Sequence, residues 1–220
     1  MLSPYWGVII VNKKPERTSL MNKTWLNQLA SDIEEKYGSD VRDGIFGELD
    51  GVKDGHKAIS AWFGNFIKKM DELNDEEFVK KILVKRSPCA WKEKERADVI
   101  RDGYENSKSF AEFASLLAES GIISDKIEFN DNVLYLIKNP MDRKNIGACG
   151  KGCHCALACH AEEYASDLFC HCCTVGFDGR PFREVFGDDV RIEFIESFIT
   201  NGNPCKTAVY APEKKGWQSF

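Results

Sequence analysis

Apolar residues recur at helical spacing through the first half of the chain and at alternate positions through parts of the second. Trp25, Leu26, Leu29 and Ile33 share one face of 22–37, and Tyr37-Gly38 supplies a stop signal. Gly44, Gly47, Gly51 and Gly55 punctuate 43–55, which predicts one weak helix broken into turns. The clearest stripe follows: Ile59, Trp62, Phe63, Phe66, Ile67 and Met70 recur at i, i+3, i+4, the pattern of a helix packed on a core. Asn74-Asp75 caps a helix through Phe78, Val79, Ile82 and Leu83, which ends before Ser87-Pro88 because the residue before a proline disfavours helical backbone. A further helix runs from Ser109 through Phe110, Phe113, Leu116 and Leu117 to Gly121.

Beyond Gly121 the period shortens. Lys126 to Phe129 and Val133 to Ile137 read as strands joined at Asn130-Asp131-Asn132, a β-hairpin. Pro181 to Phe186 reads as a helix ended by Gly187, and Val190 to Glu196 as an alternating strand. Asn201-Gly202-Asn203-Pro204 is a turn, and Cys205 to Tyr210 returns as a partner strand. The expected fold class is α+β, a helical N-terminal half followed by a small antiparallel sheet with a Cys-rich metal-binding segment. The expected divisions are 1–20 as an extension, strand or disordered stretch, 21–121 as a helical region and 122–220 as the α+β Cys-rich region. The apolar run Tyr5 to Val11 is too short for a signal peptide, and Met21 is an alternative start.

Composition narrows the function classes. With 43% hydrophobic and 30% charged residues in 220, the chain has the makings of a core and not of intrinsic disorder. A net charge of -5, with signs alternating along the chain, speaks against a nucleic-acid partner. No run approaches the roughly 20 apolar residues of a transmembrane helix, so no membrane partner is expected. The expected compartment is the cytoplasm, where thiols stay reduced.

That expectation bears on the cysteines. Seven of the nine fall between positions 149 and 173, with His154, His160 and His171 among them. Cys-His-Cys occurs twice, at 153–155 and 170–172, and 14 residues separate Cys155 from Cys170, close to the loop sizes of zinc modules. A Cys-x-Cys pair presents two thiolates to one ion only if the backbone turns tightly, and Gly147, Gly150 and Gly152 provide that freedom ahead of the first pair. Two such pairs make a tetrahedral tetrathiolate suited to Zn²⁺. The first-choice ligands are Cys153, Cys155, Cys170 and Cys172. Cys149, Cys159 and Cys173 are additional candidates, with His154, His160, His171 and Cys205 as substitutes.

Seven thiols exceed one closed zinc site. The surplus admits an iron–sulfur cluster as the alternative cofactor, then a second ion, copper(I) or a redox dithiol, although the spacing matches neither ferredoxin run. The competing reading, that these cysteines are small core residues, suits the isolated ones better than the cluster. Cys89 and Cys205 are expected to be packed, and His56 to be a solvated surface residue.

The tail from Cys170 onward, with Cys-His-Cys-Cys, a short helix ending at Phe186-Gly187, a strand carrying Glu193 and Glu196, and Asn-Gly-Asn-Pro-Cys205 before a last strand, resembles the C-terminal part of the 4-vinyl reductase family of small-ligand domains. It is also similar to the tail of uncharacterised bacterial Cys-rich proteins grouped near thiazoline-carboxylate hydrolases. The resemblance covers about the last 50 residues, and the double Cys-His-Cys lies outside the vinyl reductase pattern. It implies an α/β ligand-binding module in which Cys170, Cys172 or Cys173, and Cys205 approach one another. No catalytic residue carries over.

Three function classes follow. The first is a thiolate metal-binding protein, zinc its expected ion, with a small-molecule-sensing or interaction role and a small molecule as partner. The second is an enzyme: a hydrolase with zinc-activated water and Glu162 or Glu163 as base, or with a Cys nucleophile paired with His154, His160 or His171, or else a redox catalyst. A glutamate pair of this kind is more often a solvated helix face, and no phosphate loop, His-Glu-x-x-His or Gly-x-Ser-x-Gly is present. The third, a metal or redox sensor, uses the same residues with exchangeable thiols.

Overall fold

The computed structural model describes residues 23–47, 56–87, 92–140, 153, 158 and 166–217. The expectations for 1–20, Gly51, Gly55, Cys89 and the side chain of His56 lie outside the described residues.

Helix α1 (Lys23–Tyr37) buries the predicted face of Trp25, Leu26, Leu29 and Ile33. Gly38, at φ +87°, ends it in a conformation that favours glycine and leads directly into α2 (Ser39–Phe46). Of the stretch 43–55, residues 43–46 close α2 and Gly47 caps it, while 48–55 lie outside the described residues. In α3 (His56–Glu72) the stripe Trp62, Phe63, Phe66, Ile67 and Met70 is buried, and Phe63 and Phe66 stack with ring centres 5.4 Å apart. Each such side chain contributes roughly 1.5–3 kcal/mol of burial energy. Asp75 caps α4 (Glu76–Lys85) by accepting the Phe78 N–H at 3.2 Å. These helices share one core with Cys153, Ala158, Leu168, Cys170 and Cys172.

Helix α5 (Glu93–Asn106) is an addition to the sequence reading. Its buried face is Arg96, Ala97, Ile100 and Gly103, a pattern that carries almost no hydrophobic signal. Ser109 caps α6 (Phe110–Ser120), and Gly121 at φ +63° ends it.

The second half closes an antiparallel four-stranded sheet in the order β1-β2-β4-β3, from β1 (Lys126–Asn130), β2 (Val133–Lys138), β3 (Arg191–Glu196) and β4 (Cys205–Tyr210). The fold is α+β, helical in its N-terminal half. The β1–β2 hairpin forms in the predicted place, turning at Asp131 with φ +49°. Strand β4 pairs with β3 as expected and also inserts beside β2, which puts Cys205 directly across from Lys138. Helices α5 and α6 pack on the sheet through Ile100, Phe113 and Leu117 against Leu134, Leu136 and Val209. One core thus joins α1–α4 to Cys153, Ala158, Leu168, Cys170 and Cys172, and the other joins α5 and α6 to the sheet.

Between the hairpin and β3, a short α7 (Leu168–Cys170) runs into a π-helix (His171–Asp178) and then into α8 (Arg180–Phe186). A short α9 (Phe198–Asn201) precedes the Gly202–Pro204 turn. The π-helix packs against α4, α8, β3 and β4 at the junction of the two cores. Among the described residues, no helix is long and apolar enough to cross a membrane.

Candidate functional site

Of the sequence candidates, Cys153, Cys170, Cys172, Cys173, Cys205 and His171 are described; Cys149, His154, Cys155, Cys159, His160, Glu162 and Glu163 lie outside the described residues. None of the five described cysteines is joined in a disulfide. Cys153, Cys170, Cys172 and Cys205 are buried, and Cys173 is half-buried.

Local backbone decides which thiols converge. The tight turn expected at 170–172 is absent, because Cys170 ends α7 and Cys172 sits in the π-helix. Cys170 has Cys173 in its electrostatic neighbourhood, together with Cys205 from β4 and Cys153. Burial is the largest effect and pushes the Cys170 thiol well above its ordinary value; a Ser197 hydrogen bond opposes the shift, and the other three thiols add to it. Cys205 is shifted the same way, mainly by burial, although its Sγ accepts the Phe198 N–H at 3.5 Å. Ser197 is itself fully buried, and the Thr174 hydroxyl donates to the Cys170 carbonyl at 2.6 Å. Cys172 is packed in the same aromatic core.

Four thiols from three segments therefore gather around Cys170. Among the described residues, no three Cys, His, Asp or Glu side chains stand close enough to hold a metal ion as they lie. As a donor type, thiols suit a soft ion such as zinc, and a bound cation would remove the cost that burial and mutual repulsion place on their deprotonated forms.

A buried ion network adjoins the thiols, and it had no place in the sequence reading. Asp178, at the end of the π-helix, accepts from Arg96 at 2.9 Å and pairs with Lys138 at 2.7 Å. The side chains of Arg96 and Asp178 are 1% and 2% exposed, so the pairing is dry. The Phe177 ring lies under both cations, 4.4 Å from the Arg96 guanidinium and 5.0 Å from the Lys138 ammonium. Burial works against the Lys138 charge, but Asp178 first and Cys173 next hold its pKa above the ordinary value. Two cations against one carboxylate leave a net positive charge beside Cys173 and Cys205. An aspartate inside the apolar run Val175-Gly176-Phe177-Asp178 was the available sequence signal, since Asp is almost never fully buried unless paired.

His171 lies on the other side of the π-helix, 5.5 Å from the Phe194 ring. Burial, then the nearby Lys80, lowers its pKa to about 4, so the imidazole is neutral at physiological pH.

No family model, no curated protein and no solved structure matches the chain.

Proposed function

We propose that the chain is a thiolate metal-binding protein, with zinc as its ion and a small-molecule-sensing or interaction role. The observation that carries the reading is that Cys153, Cys173 and Cys205, from three segments of the chain, all lie within electrostatic reach of Cys170, and Cys173 also within reach of Cys205. These four are the preferred ligands, with the other thiols of 149–159 as alternatives. The excess positive charge of Lys138 and Arg96 over Asp178 supports the same reading, because four thiolates around Zn²⁺ carry an excess of negative charge. The resemblance of the tail to 4-vinyl reductase domains supports a ligand-binding role, and the approach of Cys170, Cys173 and Cys205 accords with it. A cytoplasmic setting would keep the thiols reduced.

Metal analysis and an absorption spectrum of anaerobically purified protein test the proposal. Stoichiometric zinc without visible absorbance is expected. Broad visible absorbance would replace zinc by an iron–sulfur cluster, and metal-free protein with every thiol titratable would overturn the metal reading. The double variant Cys170→Ser/Cys173→Ser should lose the ion, whereas Cys172→Ser should retain it; the reverse result would restore the paired Cys-His-Cys arrangement.

A further inference from the structure

The face of the π-helix turned away from the thiols opens into a cleft of about 870 Å³ between α4 and α8. That is within the size range of small-molecule sites. Most of its charges are already matched. Lys80 pairs with Glu76, Lys85 with Asp32 at 3.4 Å, Arg180 with Glu93 at 2.9 Å, and Glu184 with Arg101 at 3.6 Å. Lys81, Arg183 and Asp188 remain, two cations against one carboxylate, and among the described residues neither cation has a carboxylate within salt-bridge distance.

Arg183 is the more telling of the two. Its guanidinium is half-buried and donates from Nη1 to the Val175 carbonyl at 3.0 Å, which leaves most of its five N–H donors without a protein acceptor. A Cβ at residue 179 would come within 2.9 Å of Nη1 and 2.3 Å of the Val175 carbonyl, so Gly179 is what lets the guanidinium seat there. Burial is also the leading influence on Arg183 and lowers its pKa; Asp188 opposes that shift and Arg180 adds to it. A desolvated cation with unused fork donors gains most from a planar or tetrahedral oxyanion. Val84 and Val175 supply apolar wall beside it, and neutral His171 adds a polar group.

We infer that this cleft binds a small organic anion, its carboxylate or phosphate held by Arg183 and Lys81 and its body lying along Val84 and Val175. The inference gives the small-molecule role a chemical class. It does not depend on the metal reading, since no cysteine lines the cleft.

Calorimetric titration of the full chain with inorganic phosphate, and separately with malonate, against sodium chloride at matched ionic strength, tests it. Saturable binding of at least one anion is expected. Tighter phosphate binding would assign a phosphorylated ligand, and tighter malonate binding a carboxylate one. Arg183→Gln should weaken the preferred anion roughly tenfold or more while keeping the far-ultraviolet circular dichroism of the parent. Should that variant fail to fold, Lys81→Gln, at an exposed position, should weaken binding by about threefold or more. No binding beyond chloride for either anion, or undiminished binding in the folded variant, overturns the inference. Anion binding that persists in Cys170→Ser/Cys173→Ser would confirm that the two sites are separate; its loss there would overturn that separation.

Discussion

The two sides of the π-helix carry the same kinds of charge in opposite circumstances. On the thiol side, Asp178 holds both Arg96 and Lys138 in a region almost without water, and the one cation in excess faces the thiols. On the cleft side, exposed Lys81 and half-buried Arg183 have no carboxylate within salt-bridge distance among the described residues, and Asp188 is the one unpaired acid in the lining. The difference teaches what each set is for. A dry ion network is costly to assemble and costlier to break, because removing one partner strands the others. Spare cations at a cleft contribute little to folding and remain available to a ligand.

The contrast can be broken most directly at Asp178. Asp178→Ala should cost about 3–5 kcal/mol in urea unfolding, since two buried cations lose their shared partner. A loss below about 1 kcal/mol would show that water reaches the network, and the distinction between the two faces would collapse. A smaller effect is expected at Gly176, where the π-helix meets α4. An added Cβ would lie 2.8 Å from the Ser87 Cβ and 3.1 Å from the Val84 carbonyl. Gly176→Ala should therefore destabilise by about 1–3 kcal/mol through overpacking, measured by the same unfolding curves. An unchanged midpoint would mean that α4 moves aside easily.

The mildest effect concerns a pair of intermediate exposure, Asp32 on α1 with Arg86 after α4, joined at 2.5 Å and 2.9 Å. The Arg86 hydrogen bond, partly offset by burial, lowers the Asp32 pKa. A carboxylate with a lowered folded pKa stabilises the fold above its unfolded value of about 4. That contribution disappears as pH falls through the folded value. Arg86→Gln should thus cost up to about 1 kcal/mol at neutral pH, with the difference from the parent vanishing in strong acid. A difference that grows on acidification would contradict the assigned sign.

Much of the fold was legible in the chain because helices α1, α3, α4 and α6 carry strong apolar stripes, and the β1–β2 hairpin alternates cleanly. Helix α5 was not legible. Its inward face is built on Arg96 and Gly103, and Arg96 is buried only because Asp178, 82 residues later, awaits it. The cysteine cluster was visible as a composition, but its pairing was not. Reading Cys-His-Cys as a turn favoured Cys170 with Cys172, whereas helical backbone turns Cys170 toward Cys173. Nothing local in the sequence announces a π-helix, whose wider winding is fixed by the elements packed around it. The cleft was equally hidden, since Lys81 and Arg183 look like ordinary surface charges until the fold brings α4 and α8 together.

The placement of β4 has a consequence for biosynthesis. This strand is the last of the sheet to leave the ribosome, yet it occupies an inner position between β2 and β3 and brings Cys205 with it. Until it arrives, β2 and β3 have no partner in common, and Cys170 and Cys173 wait without their neighbour. The sheet and the thiol group are therefore completed in one late step. A nascent chain stalled before residue 205 should not be folded in its second half.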